Sequence, residues 1–138
     1  MIDKIIKALT FLIALILLGY IVILKMPKAS VKSKDVVAEI SAEDLYEAFT
    51  TDEQLAQDKF LGKAVIVTGL IDDKYEDETG APVLILRSEA GESVALVTLE
   101  SSERTKVGNF NIHDHIKVKA QCSGMLMEVT LSKGIILN

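Results

Sequence analysis

The side chains best suited to chemistry are few and scattered. His113 and His115, the two histidines of this 138-residue chain, flank Asp114, and the single cysteine, Cys122, follows seven residues later. A His-x-His pair on a continuous strand would put both imidazoles on one face, here the outward face of Lys117 and Lys119. As a metal site it would still need ligands from elsewhere to reach four, and the acidic stretch 72–79 is the candidate source. That stretch, however, does not meet the D-x-[DN]-x-[DN]-G pattern of a calcium loop. Parity turns Cys122 inward, so a Cys–His pair would need a bulge; a buried cysteine usually behaves as a small hydrophobe. The plainer readings are a polar turn entering a strand for 113–115 and a solvated hairpin loop for 72–79. No serine sits in a nucleophile-elbow setting, and no glycine-rich phosphate loop is present. A lone cysteine excludes an internal disulfide and any paired-Cys zinc site. The expectation is a protein that is not an enzyme and carries no cofactor or metal.

The elements that would position these groups begin with an anchor. Fifteen of the seventeen residues from Ala8 to Leu24 are apolar, and Lys7 and Lys25 bracket the run. Seventeen helical residues span roughly 26 Å, the low end of what a bilayer requires, and the lysines can snorkel to make up the deficit. The following MPKASVKS offers no A-x-A cleavage pattern, and no cysteine directly follows the run to carry a lipid. An uncleaved single-pass anchor over residues 1–25 is therefore expected, in the bacterial inner membrane. Six lysines against one Asp give residues 1–34 a charge of +5, and lysines on both sides of the span leave its orientation open. The lysine count leans toward a cytoplasmic domain; the short basic tail of a signal-anchor leans toward a periplasmic one, which is the expectation carried forward. Residues 26–40, with Pro27 and Lys28, Lys32 and Lys34, read as a juxtamembrane linker.

Residues 41–138 read as a folded domain. Ser41 caps a helix whose first turn holds Glu43 and Asp44, with Leu45 and Phe49 four apart on one face. Thr51 and Gln54 make a second capping box, and Leu55, Ala56 and Phe60 continue the apolar stripe until Gly62. The period then drops to two. Strands are expected over 64–72, with Gly69 at a bend, and over 82–88 and 92–99. A polar segment at 100–108 reads as a short helix or loop. A fourth strand turns Ile116, Val118, Ala120 and Cys122 inward; after a turn at Ser123-Gly124 a fifth does the same with Met127, Val129 and Leu131. Three strands, a short connection and a hairpin are the order of a five-stranded OB-fold barrel, here preceded by one or two short helices; an open sheet or sandwich is the alternative.

The segment VAEISAEDLYEAFTTDEQLAQDKFLGKAVIVTGLI resembles the opening of the tRNA_anti-like family of OB-fold proteins, through Ala56, Phe60, Gly62, Lys63, Val67 and Gly69. VKAQCSGMLMEVTLSKGIIL is similar to that family's closing hairpin. The resemblance spans about residues 38–138 and implies the fold, often in a small envelope protein with an N-terminal membrane segment. It brings no catalytic residues. His113-Asp114-His115 departs from the Gly-Asp turn that the resemblance implies before strand four.

Residues 35–138 carry nine basic and nineteen acidic side chains, a charge of −10. Phosphate contacts supply most single-strand affinity, and aromatic platforms the rest, so this charge argues against nucleic acid. The expected role is a membrane-tethered binding or interaction module with a protein partner in or at the membrane. By fold analogy its surface would use Asp72, Asp73, Tyr75 and Glu76 of the first turn, Arg87 of the second strand, and Ser123. A structural accessory subunit, held by its membrane helix within a larger complex, is the alternative.

Overall fold

The computed structural model describes residues 1–25, Val31 and 35–138. The read spacer residues 26–30 and 32–34, with Pro27 and lysines 28, 32 and 34, lie outside the described residues. Helix α1, Ile2–Lys25, is one continuous helix of 24 residues whose stretch Ile2–Val22 is long and apolar enough to cross a membrane. None of that stretch is buried against the rest of the chain.

Strand β1, Val36–Ser41, occupies the end of what reads as linker. It lies parallel to the start of β2, Ala64–Glu76, with Ser41 opposite Thr68. The alternation in VVAEIS is too short to stand out by itself, and the strand exists because β2 offers it an edge. Between them run α2, Ala42–Thr51, and α3, Glu53–Phe60. Ser41 caps α2 as its sequence suggests, its Oγ accepting from the Asp44 N–H at 3.0 Å. The cap of α3 is Asp52, not Thr51: its carboxylate accepts from the Leu55 N–H at 3.0 Å, while Thr51 closes α2. Leu55 points to solvent rather than joining the stripe; Ala56 and Phe60 enter the core, and Phe60 meets Phe49 of α2 with ring centroids 6.4 Å apart.

Strands β3, Pro82–Arg87, and β4, Ser93–Leu99, follow β2 antiparallel. A 3-10 turn, Ser101–Glu103, and the short α4, Arg104–Val107, lead to β5, His115–Met125, and β6, Val129–Ile136. The strand order is β2-β3-β4-β6-β5 and back to β2, with β4 and β6 parallel, so five strands close a barrel and β1 adds a sixth strand to the sheet. Closure requires one strand to serve both sides, and β2 does so at Leu70, which pairs with Arg87 of β3 and with His115 of β5. Gly69 next to it permits close packing: a Cβ there would stand 3.3 Å from the Cβ atoms of Ala42 and Leu86. The bulge expected at this bend lies further on, between Ile71 and Asp73. Val65, Val67, Leu84, Leu86, Val97, Val118, Cys122 and Leu131 fill the interior.

Two turns fall elsewhere than the residue types suggest. β2 continues to Glu76, so the first turn is 77–81, closed by Asp77, which accepts from the Thr79 N–H at 2.8 Å, its hydroxyl at 2.6 Å and the Ala81 N–H at 3.0 Å. Ser123 and Gly124 belong to β5, where the register shifts between Cys122 and Gly124, and the chain reverses at 126–128. Met127, read as inward, is exposed at that tip.

Candidate functional site

Residues directly opposite in paired strands share a face. Arg87, Leu70 and His115 therefore form a row across the outside of the barrel, and Ser41, Thr68 and Lys117 form the next row. Along one flank of β2, β1 ends at Ser41 opposite Thr68 and β3 takes over only at Leu70. Where α2 turns away from this gap the surface sinks into a crevice of about 210 Å³, bounded by Ser41, Glu43, Thr68, Arg87, Glu89 and His115.

Arg87 sets the chemistry of this crevice. Its Nε is buried and has no hydrogen-bond partner among the described residues. The contrast with other cations is plain: Lys117 pairs with Glu39 at 2.6 Å, Arg104 with Glu76 at 2.8 Å and Lys106 with Glu103 at 3.1 Å. A buried donor left unpaired costs roughly 1–3 kcal/mol, a cost that an acceptor on a ligand would remove. A guanidinium offers a planar fork matched to a carboxylate or a phosphate. The N-terminus of α2 adds partial positive charge at the same place. Glu43 and Glu89 stand on the rim, Glu43 accepting from the Glu89 N–H at 3.4 Å. The arrangement suits one small anionic group and is unfavourable to a chain of them.

The other residues singled out by sequence do not gather around Arg87. Asp72 lies in the β2 bulge and accepts from the Ser93 hydroxyl at 3.3 Å. Asp73 accepts from the Lys74 N–H at 2.8 Å, and Glu76 pairs with Arg104. Tyr75 is partly exposed on β2, within the strand rather than on a loop. Ser123 is exposed on β5, 3.0 Å from the Ser132 hydroxyl. It lies beyond Gln121, which faces Ala64 at the opposite end of β2 from Glu76, so the first turn and Ser123 do not share a surface.

His113 and His115 also part company. β5 starts only at His115; His113 sits in the preceding turn at φ 74° and donates its backbone N–H to Ile71 O at 2.7 Å. The left-handed conformation that a glycine would adopt there is thus held by a histidine. Cys122 is buried in the core, and burial pushes its thiol pKa up, the form that resists nucleophilic use. Residues with no sequence signal also matter. Glu103 is almost fully buried, accepting from the Ile136 N–H at 3.0 Å while pairing with Lys106. Lys74 reaches across to the carbonyl of Phe110 at 2.6 Å.

A closed five-stranded barrel with this strand order is an OB fold. The tRNA_anti-like family model matches residues 1–136, and the chain belongs to that family. Among solved structures the chain is similar to a candidate nucleic acid-binding lipoprotein from Klebsiella pneumoniae subsp. pneumoniae MGH 78578. That match has 19% identity and a TM-score of 0.56, and covers 72% of this chain and 91% of the other. A candidate aspartyl-tRNA synthetase from Leishmania major Friedlin matches with 15% identity and a TM-score of 0.47, over 80% of this chain and 22% of the other. No curated protein matches the chain.

Proposed function

We propose that this protein is a membrane-tethered OB module of the bacterial envelope. It binds a protein partner at the membrane by taking a carboxylate of that partner into the Arg87 crevice, and it has no catalytic activity. The observation that carries the proposal is the buried, unpartnered Nε of Arg87 at the edge of a crevice. The apolar, unburied helix Ile2–Val22 supports the tether, which would hold the domain at high local concentration near such a partner. The domain faces the periplasm, as a short basic tail ahead of a signal-anchor favours.

The similar lipoprotein is described by nucleic-acid binding, but two features here oppose that reading. The domain carries nine basic against nineteen acidic side chains, and Phe49 and Phe60 are buried while Tyr46 and Phe110 pack against the core. Little aromatic surface remains for stacking bases.

A photo-crosslinker at Thr68 in the full-length protein tests the proposal. Adducts that persist when α1 is replaced by an unrelated span, and vanish with Arg87→Met, support it. Adducts that vanish with the anchor swap and ignore Arg87 make the protein a structural subunit held by its helix. Micromolar affinity for single-stranded DNA or RNA at low salt, in a polarisation titration, would replace the proposal with the nucleic-acid reading. A reporter fused after Asn138, active in only one compartment, fixes the side of the membrane.

A further inference from the structure

One end of the barrel carries large apolar side chains that no described residue covers. At the β5–β6 tip Leu126 is 90% exposed and Met127 84%. Leu61, 46% exposed, lies at the same end: its Cδ1 would stand 3.6 Å from a Cβ on Gly124. Exposed Val36 and Val37 begin β1 there as well. Strand register puts these toward one end of the barrel, because Val36 pairs with Ala64, Ala64 pairs with Gln121, and β5 runs on past Gln121 to the tip.

This is also the end at which the chain arrives from α1. Val31 is fully buried in a small cluster with Ala64 and Ile135, so it is fastened to the first residue of β2. Only six residue steps separate Lys25, the last residue of α1, from Val31. At most about 3.5 Å per residue, that connection reaches roughly 21 Å. With α1 in a bilayer, the barrel end to which Val31 is fastened therefore stays close to the membrane, and the Leu126–Met127 tip comes within reach of the lipid surface.

We infer that this end of the barrel docks on the bilayer, with Leu126 and Met127 entering the headgroup–acyl boundary and Leu61 resting on it. The inference rests on the proposed tether. Asp35, Asp58 and Glu128 offset Lys59 and Lys63 near this end, and the lysines suited to anionic lipid, Lys25, Lys28, Lys32 and Lys34, belong to the connection, so insertion of the tip itself is driven by its apolar side chains. Docking fixes the domain's tilt and leaves the Arg87 crevice, farther along β2, open to a partner.

The chain has no tryptophan, which makes a single introduced one an unambiguous reporter. Full-length Met127→Trp and Tyr75→Trp, the latter at the other end of β2, would each be reconstituted in phosphatidylcholine vesicles with and without brominated acyl chains. Docking requires that Met127→Trp emit at shorter wavelength than Tyr75→Trp and lose at least half its intensity to brominated lipid, while Tyr75→Trp is unchanged. The same result in purely zwitterionic and in partly anionic vesicles confirms the apolar basis. Equal emission and no quenching at either site, in protein that floats with the vesicles, overturns docking and leaves the tether intact. Failure to float overturns the tether and docking with it. A blue shift that appears only at high protein-to-lipid ratio, without quenching, assigns the patch to a second copy of the chain and also overturns docking.

Discussion

The first hairpin and the Arg87 crevice make opposite uses of charge. The hairpin holds the densest run of acids in the domain, yet several of them are engaged within the fold. Asp77 accepts three hydrogen bonds inside its turn, Asp73 accepts from the next residue, and Glu76 is clasped by Arg104, which also donates to the Gly80 carbonyl. The crevice has a single arginine, but the buried Nε of that arginine has no partner among the described residues. Charge density along a sequence is thus a poor guide to binding. An unsatisfied donor in a concave place is the better guide, because only there does a ligand recover free energy that folding left unrecovered.

That contrast can be sharpened most forcefully at Glu103, a buried acid in the 3-10 turn after β4 that also serves the fold. Glu103→Ala removes the acceptor for the buried Ile136 N–H and the partner of Lys106; a loss of about 2 kcal/mol is expected in urea unfolding. Were Glu103 serving a ligand instead of the fold, stability would stay the same or rise. At the crevice the opposite sign is expected. Arg87→Met keeps most of the side-chain length and deletes the unpaired donor, so stability should hold or rise by up to about 1 kcal/mol while crosslinking is lost. A clear loss of stability would mean that Arg87 serves the fold.

Asp77 gives a smaller, pH-dependent signature. The Thr79 hydroxyl and the Ala81 and Thr79 amides hold its carboxyl below the usual aspartate pKa. A depressed folded-state pKa contributes stability above the unfolded value, about 3.9, that is lost as pH falls through the folded value. Asp77→Asn should therefore lower Tm at neutral pH and flatten its decline in acid, leaving the Arg87 crevice unaffected. The smallest effect is expected at His113→Gly. Relief of the left-handed backbone is offset by the greater freedom of glycine in the unfolded chain, so Tm should move by no more than a few degrees.

Much of the architecture was legible in the residues. Period-two runs announced the barrel strands, Ser41 announced α2, and the polar segment after β4 announced a short helix or loop, although the connection to β5 runs further, to His115. β1 was not legible, since six residues of weak alternation acquire meaning only against the edge of β2. The Ser123-Gly124 pair looked like a turn because glycine tolerates positive φ, and Gly124 does have φ 109°, but within a register shift of β5. The candidate site was legible in one member. Arg87 stood out as a cation on a strand face; its neighbours Ser41, Thr68 and His115 are distant in the chain and meet only through cross-strand register.

The sequence by itself determined local matters: an apolar helix long enough for a bilayer, the caps and periods of the elements, and the split between a basic N-terminal segment and an acidic domain. These follow from residue type and spacing within a few turns or strand repeats. Tertiary structure alone decided which charges are satisfied, which strand serves both sides of the barrel, and which end of it carries bare apolar side chains. Those depend on pairing between residues tens of positions apart, where burial and geometry, rather than composition, set the cost of leaving a group unpaired.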